Sequence, residues 1–349
     1  MFHDLTISAI RPETDTAVAI SFAVPDALKE TFAFQPGQYL TLRADVEGQD
    51  IRRSYSIASC EGEDLTVGVK RVEGGAFSSF AQTLKPGQTL HVMPPEGRFV
   101  TKGAKKVVLI AAGSGITPMV SIASDVLSQG GDVTLIYGNQ RTDTIMFRDT
   151  LDALKDRYLN RLTMIHILSR EPQDVAILNG RITGDKVIAL AQAGAVDLTG
   201  AEGIFLCGPG EMIDDVSAAL RAAEIPDERI HFERFYQDGE APRAPKSDAA
   251  KAAAASGVSV EVMLDGTRRV IQFEAGDDTV IDAAARQGLD LPYSCKGGMC
   301  CTCRCKVAEG SAEMAVNYSL EPWELEAGFT LACQARPTSE KLVLDFDAA

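Results

Sequence analysis

Cys295, Cys300, Cys303 and Cys333 stand at the spacing C-x4-C-x2-C followed by one distant cysteine. Two irons bridged by sulfides need four thiolates on one small cluster, three from a tight loop and one from a separate strand, and this spacing supplies them for a 2Fe–2S centre. Such a centre carries one electron at a time. The loop Ser294-Cys295-Lys296-Gly297-Gly298-Met299-Cys300 holds two adjacent glycines, which let backbone amides approach the sulfurs and donate hydrogen bonds. The alternatives are reduced structural cysteines or a zinc knuckle. Zinc sites pair a CxxC with a second CxxC or with histidines, and this region has no histidine and a single long-range cysteine. Cys301 and Cys305 fall outside the ligand spacing and read as small buried fillers.

A second set of residues suits a flavin. In Arg53-Ser54-Tyr55-Ser56-Ile57 the arginine and tyrosine are two apart, on one face of a strand. Arg53 can pair a pyrophosphate bidentately while Tyr55 lies on the ring system, and the Ser56 hydroxyl sits near the flavin N5. Gly75-Ala76-Phe77-Ser78 reads as a helix start whose amides, with Gly75 and the Ser78 hydroxyl, meet the same phosphates. The alternative is an ordinary barrel strand with polar residues alternating outward.

A third set suits a pyridine dinucleotide. Gly113-Ser114-Gly115-Ile116-Thr117-Pro118 follows an apolar strand, so Gly113, Gly115 and Thr117 form a candidate phosphate-binding turn. The full G-x-G-x-x-G fingerprint is missing, because Pro118 stands where its last glycine would be. Cys207-Gly208-Pro209 repeats the strand-turn-helix arrangement, with Cys207 beside the nicotinamide and Gly208 and Pro209 in the turn; a buried core cysteine is the alternative. Ser169 and Arg170 end another strand and suit the 2′-phosphate of NADPH, with Arg141 adding charge. Surface salt bridges are the competing reading of the two arginines.

These residues need three kinds of scaffold. Val18, Ile20 and Phe22, then Leu65, Val67 and Val69, alternate between turn signals such as Pro36-Gly37 and Pro86-Gly87, which predicts an antiparallel β-barrel over residues 1–101. The unbroken run Val107–Ala112 and the later apolar runs at 133–137, 162–168 and 204–207 predict a doubly wound α/β sheet over 102–237. Residues 238–257, rich in alanine, proline and charge, read as a linker on which the last domain could swing, although the alanine run also suits a short helix. Over 258–349 a hairpin turning at Asp265-Gly266, a helix capped by Asp277 or Asp278 and stopped by Gly288, and the cysteine loop predict a small α+β domain.

The chain has 349 residues and a net charge of −15, which argues against a nucleic-acid partner. Residues 258–349 hold 15 acidic against 8 basic side chains, a net charge of −7, as suits either steering of a basic protein partner or plain solubility. No apolar stretch is long enough for a membrane span, and the first residues, Met1-Phe2-His3-Asp4, lack the pattern of a signal peptide. Eight cysteines without such a signal point to metal or redox chemistry in the cytoplasm.

Taken together, Arg53-x-Tyr55-Ser56, the Gly113–Pro118 turn, Cys207-Gly208-Pro209 and the cysteine spacing resemble the ferredoxin–NADP reductase superfamily with a fused C-terminal ferredoxin. The resemblance implies an FAD barrel, an NADP-binding sheet and a β-grasp ferredoxin domain. It also implies that Ser56 and Cys207 flank the hydride path, and that Phe235, in His231-Phe232-Glu233-Arg234-Phe235, approaches the flavin. The segment Cys300–Val307, with Glu313-Met314 and Asn317–Leu320, is similar to reductases that feed the di-iron epoxidase of aerobic phenylacetate degradation, which acts on phenylacetyl-CoA. Such a chain would pass electrons from NADPH through FAD and 2Fe–2S to an oxygenase component. Reductases of Rieske-type steroid or aromatic-ring hydroxylases are the nearest alternative, and a redox sensor or adaptor without turnover is the alternative from another class.

Overall fold

The alternating residues near the N-terminus form an antiparallel hairpin, β1 (His3–Thr14) and β2 (Ala17–Ala23). The computed structural model, which describes residues 2–59, 64–235 and 244–348, continues with β3 (Tyr39–Val46), β4 (Gln49–Ser56), β5 (Leu65–Lys70), the short helix α1 (Ala76–Ala81) and β6 (Thr89–Val92). The strands run in the order β4-β3-β6-β1-β2-β5, and every pairing is antiparallel. A bridge from Ile57 to Val67 draws the two edge strands together toward a closed barrel. Leu5, Ile20, Phe22, Leu40, Leu42, Val67 and Phe77 fill the interior.

The long apolar runs then build a parallel sheet. Its elements are β7 (Lys106–Ala112), α2 (Ile116–Ser128), β8 (Asp132–Asn139), α3 (Arg148–Arg157), β9 (Leu162–Leu168), α4 (Gly184–Gln192), β10 (Gly203–Gly208), α5 (Gly210–Ala222) and β11 (Ile230–Arg234). The order β11-β10-β7-β8-β9 places β7 in the centre, with β8 and β9 on one side and β10 and β11 on the other. Alternate residues of β7 serve two cores: Val107, Leu109 and Ala111 pack toward α2 and α3, and Val108 and Ile110 toward α4 and α5. Burial on both faces explains the unbroken apolar run.

Strand β2 departs from simple alternation, because Ala17 and Ala19, on the face opposite Ile20, are buried too. They belong to the core that includes Ile116, Met119 and Phe147 of the α/β part. Small residues let the two parts approach closely: a Cβ at Gly68 would come within 2.5 Å of Thr117 Cγ2 and 2.8 Å of Phe147 Cε2. Phe147 has a left-handed backbone (φ +56°), and its N–H donates to Glu13 Oε2 of β1 at 2.7 Å. Barrel and parallel sheet thus make one unit, Met1–Phe235.

The second unit, Tyr236–Ala349, holds α6 (Asp248–Ser256), β12 (Val258–Leu264), β13 (Thr267–Phe273), α7 (Val280–Arg286), β14 (Arg304–Glu309), β15 (Ala312–Met314), α8 (Pro322–Glu326), β16 (Phe329–Leu331), β17 (Ala335–Pro337) and β18 (Lys341–Asp345). Its main sheet has the order β13-β12-β18-β14-β16, with β12 and β18 parallel, as a β-grasp requires. The two-residue turn at Asp265-Gly266 has φ of +51° and +67°, and both amides donate to the Asp347 carboxylate.

The expected helix cap in this region needs correction. Helix α7 is capped by Thr279, whose hydroxyl accepts from Asp282 N, while Asp277 is buried against Arg286 and accepts from Glu274 N. In the described part of the expected linker 238–257 the alternative reading holds, and the alanine run forms the short helix α6. Ser247 caps α6, and Ala250, Ala253 and Ala254 are buried, the last two within the core of Val258 and Val260. The Ala244 carbonyl accepts from Arg336 Nη1 at 2.7 Å. Residues 238–243 of that segment lie outside the described residues.

Candidate functional site

The cysteine loop is wound by left-handed residues, Lys296 (φ +50°), Gly298 (φ +73°) and Cys301 (φ +61°). Cβ-free Gly298 lets the loop approach the Val316 carbonyl, which an added Cβ would meet at 3.0 Å. The Gly297 N–H donates to Cys295 Sγ at 3.3 Å, and the Cys333 N–H to Cys303 Sγ at 3.5 Å. Cys295, Cys303 and Cys333 are buried and Cys300 is half-buried.

The thiols meet two by two, Cys295 with Cys300 and Cys303 with Cys333, and Cys333 also lies within electrostatic reach of Cys295 and Cys300. Hydrogen bonding from Cys300 holds the Cys295 thiol below its ordinary range, and Cys303 does the same for Cys333. In each pair the partner, Cys300 or Cys303, is pushed up in turn by the same contact and by burial. Two adjacent pairs of thiols match the donor set of a two-iron centre, with two sulfurs to each iron. Among the described residues no three His, Cys, Asp or Glu side chains converge as a single metal ion would require. The other two cysteines of the loop point elsewhere. Cys301 donates to Ser319 Oγ at 3.1 Å, and Cys305 is buried in the β14 core, where burial pushes its thiol well up.

In the first unit, β7 and β10 are neighbours on which the chain order reverses, and ligands of such sheets bind beyond the carboxyl ends of those strands. The Gly113–Gly115 turn and Cys207-Gly208-Pro209 occupy that edge. They are in contact: a Cβ at Gly115 would collide with the Cys207 carbonyl oxygen and come within 2.9 Å of Gly208 N. Gly113 takes a left-handed φ of +56°, and its carbonyl accepts from Tyr137 Oη at 3.0 Å. The Thr117 hydroxyl donates back to the Ser114 carbonyl at 2.9 Å and is buried, so it braces the turn.

Ser56 ends β4 and reaches the same edge. Its hydroxyl donates to Glu233 Oε2 at 3.0 Å, and Glu233 is the register partner of Cys207 in the adjoining strand. Burial pushes the Cys207 thiol well above its ordinary range, and the Glu233 charge pushes it further, so it stays a neutral S–H. Phe235 packs against the core that contains Cys207. Arg53 and Tyr55 share one face of β4; Tyr55 lies 5.7 Å from the Phe77 ring, and Arg53 Nη1 donates to the Arg52 carbonyl.

The remaining expected residues have the following surroundings. Ser78 Oγ donates to the Gly75 carbonyl and accepts from Val72 N, so the hydroxyl closes its own loop. Arg141 pairs with Asp143, and its backbone and Thr144 cap the turn that follows. Ser169 and Arg170 are exposed beyond β9, and Arg170 has no ion-pair partner among the described residues. Glu171 accepts from both Thr142 N and Thr142 Oγ1, binding the loops after β8 and β9 together.

Two functional candidates escape a reading of the sequence. Sequence favours Phe235 over Glu233, since only the β10–β11 register shows which residue faces Cys207. Lys70, the last residue of β5, lies with Nζ 3.7 Å from where a Gly113 Cβ would be. Burial alone lowers its pKa, which marks a half-buried ammonium beside the glycine turn.

Three family models match the chain: an oxidoreductase FAD-binding domain over residues 7–101, an oxidoreductase NAD-binding domain over 109–218 and a 2Fe-2S iron-sulfur cluster binding domain over 262–338. One of the subunits of the 1,2-phenylacetyl-CoA epoxidase of Escherichia coli K12 is 44% identical over 99% of this chain and 98% of its own. The ferredoxin reductase component of 3-ketosteroid-9-alpha-monooxygenase from Rhodococcus rhodochrous is 38% identical over 98% and 96%. In fold, the chain resembles phthalate dioxygenase reductase, with a TM-score of 0.58 and 23% identity over 99% of this chain and 98% of that one. The chain belongs to the reductases of multicomponent oxygenases, the branch of the ferredoxin–NADP reductase superfamily that joins FAD-binding, NAD-binding and 2Fe–2S ferredoxin domains.

Proposed function

We propose that the chain is the NADPH-dependent reductase of a di-iron phenylacetyl-CoA epoxidase and works in the cytoplasm, where its free thiols stay reduced. When bound, FAD accepts a hydride equivalent and releases electrons singly, which a 2Fe–2S centre can carry onward. The observation that carries the reductase reading is the Ser56–Glu233 hydrogen bond beside Cys207 at the edge of the parallel sheet.

Each residue has a physical task in this reading. Arg53 and Tyr55 hold the flavin pyrophosphate and ring, and Ser56, held by Glu233, fixes a hydroxyl where the two substrates meet. The neutral Cys207 keeps that point dry and free of added charge. Gly113, Gly115, Gly208 and Pro209 let the dinucleotide backbone approach, while Lys70 supplies a partly desolvated positive charge for its phosphates. Arg170 and Ser169 favour a 2′-phosphate, hence NADPH over NADH. Cys295, Cys300, Cys303 and Cys333 hold the irons. The partner assignment follows the 44% identity along the whole chain, against 38% to the steroid hydroxylase reductase.

The test mixes the cofactor-loaded protein anaerobically with NADPH or NADH and follows the flavin and iron–sulfur absorbance by stopped flow. Flavin bleaching followed by loss of the cluster bands, faster with NADPH, is expected. A cluster that stays oxidised sinks the relay. Adding the di-iron epoxidase with phenylacetyl-CoA, or a Rieske-type steroid hydroxylase with its steroid, then decides the partner by which one consumes electrons coupled to product.

A further inference from the structure

Gln334 directly follows Cys333 and is fully buried. Its backbone is pinned at both ends: its N–H donates to the Leu331 carbonyl at 2.8 Å, and its carbonyl accepts from Ala315 N at 3.0 Å. The side-chain amide then reaches back to the cysteine loop. Nε2 donates to the Lys296 carbonyl at 2.8 Å and to Cys333 Sγ at 3.4 Å. Both partners are acceptors, so the amide orientation is determined; flipped, its oxygen would face a carbonyl and a sulfur. The other end of the amide, Oε1, is buried without a hydrogen-bond partner. An unpartnered buried oxygen makes this amide costlier than an apolar side chain of equal length, so packing alone does not account for it.

Lys296 is the residue after Cys295, and its carbonyl is set by the left-handed turn that begins the loop. The amide therefore bridges the loop carrying Cys295, Cys300 and Cys303 to the segment carrying Cys333. We propose that Gln334 is a positioning residue of the 2Fe–2S centre, strapping the loop to Cys333 and raising the reduction potential by donating a hydrogen bond to the Cys333 sulfur. The inference rests on the assignment of the four cysteines as ligands. One-electron reduction adds a negative charge to a four-thiolate centre, and an N–H at one sulfur favours the more negative state. Its removal lowers the potential.

Gln334→Met and Gln334→Leu remove the donor while filling the space. In the full, cofactor-loaded chain, an anaerobic redox titration followed by EPR of the reduced centre reads the potential, with iron content and Tm alongside. The expected result is full iron and a potential lowered until the reduced-to-oxidised ratio at a fixed potential falls about tenfold, which is about 59 mV for one electron. A changed EPR spectrum accompanies it, and a variant that folds yet takes up no iron also bears out the strap. Wild-type potential and spectrum in a variant with full iron overturn the inference, as does loss of the fold in both variants, which makes Gln334 a packing residue only. Cys333→Ser separates the two levels: full iron there overturns the ligand assignment itself, whereas iron loss there with an unmoved Gln334→Met potential overturns only the role of Gln334.

Discussion

Ser56 and Glu233 are 177 positions apart in sequence, yet the serine hydroxyl donates to the glutamate carboxylate at 3.0 Å, joining the end of a barrel strand to the edge strand of the parallel sheet. A hydroxyl that donates to a carboxylate has its lone pairs turned the other way, so Glu233 fixes what Ser56 presents to a ligand. Hydrogen bonds to charged groups contribute about 1.5–3 kcal/mol, or about 10–100-fold in a rate when the effect falls on the transition state. Ser56→Ala and Glu233→Gln are therefore expected to slow flavin reduction by NADPH by about that factor, with flavin content unchanged. Anaerobic stopped flow checks it, and wild-type rates in both variants would show the pair to be only an interdomain contact.

Gly115 packs against backbone, which cannot move aside as a side chain tip can. Gly115→Ala forces the Gly113–Gly115 turn away from Cys207, and overpacking of this kind costs about 1–3 kcal/mol. The expected result is a fall of several degrees in the melting temperature of the first unit and a raised KM for NADPH. A melting temperature and KM like those of the parent would remove the argument that the two turns must touch.

Arg170 and Arg141 read alike in sequence, but the structure distinguishes them. Arg141 has Asp143 as a partner, whereas Arg170 has none among the described residues. Arg170→Ala should raise KM for NADPH about 10–100-fold and leave NADH unaffected, with a smaller effect for Arg141→Ala. Equal losses with both nucleotides would place the 2′-phosphate elsewhere.

Cys301 and Cys303 lie two residues apart in the same loop and face different surroundings, Ser319 for one and Cys333 for the other. Replacing each by serine changes one atom. Cys303→Ser is expected to lose the iron, and Cys301→Ser to keep it, by iron assay and visible spectrum. Full iron in the first variant would remove Cys303 from the ligand set.

What the sequence made legible followed from local spacing. The cysteine loop, the buried strand running into Gly113–Gly115 and the Asp265-Gly266 hairpin each depend on residues close together in the chain. What it hid depends on pairing between distant segments. Glu233 meets Cys207 through strand register, Lys70 approaches Gly113 because the barrel docks on the sheet, and Ala17 and Ala19 are buried by the same docking. Asp277 resembles a helix cap in sequence, yet Arg286, nine residues away, holds it in the interior.

The alanine-rich segment is a different case, because its composition and its local spacing point to different readings, spacer and short helix. Alanine contributes little apolar area, so the run reads as a spacer; but Ala250, Ala253 and Ala254 follow the i, i+3, i+4 spacing of a helix face, with Ser247 as its cap. Burying an unpaired carboxylate there costs about 3 kcal/mol or more, against a total stability of about 5–15 kcal/mol for a domain. Ala254→Asp should therefore lower the melting temperature of the second unit by many degrees and weaken the cluster bands, while flavin reduction by NADPH in the first unit continues. Lys251 is on the same helix with its side chain exposed in a surface pair to Asp248, so Lys251→Ala should leave both readouts unchanged. Retention of the cluster bands and melting temperature in Ala254→Asp would show that the helix is dispensable to the domain, as a plain linker would be.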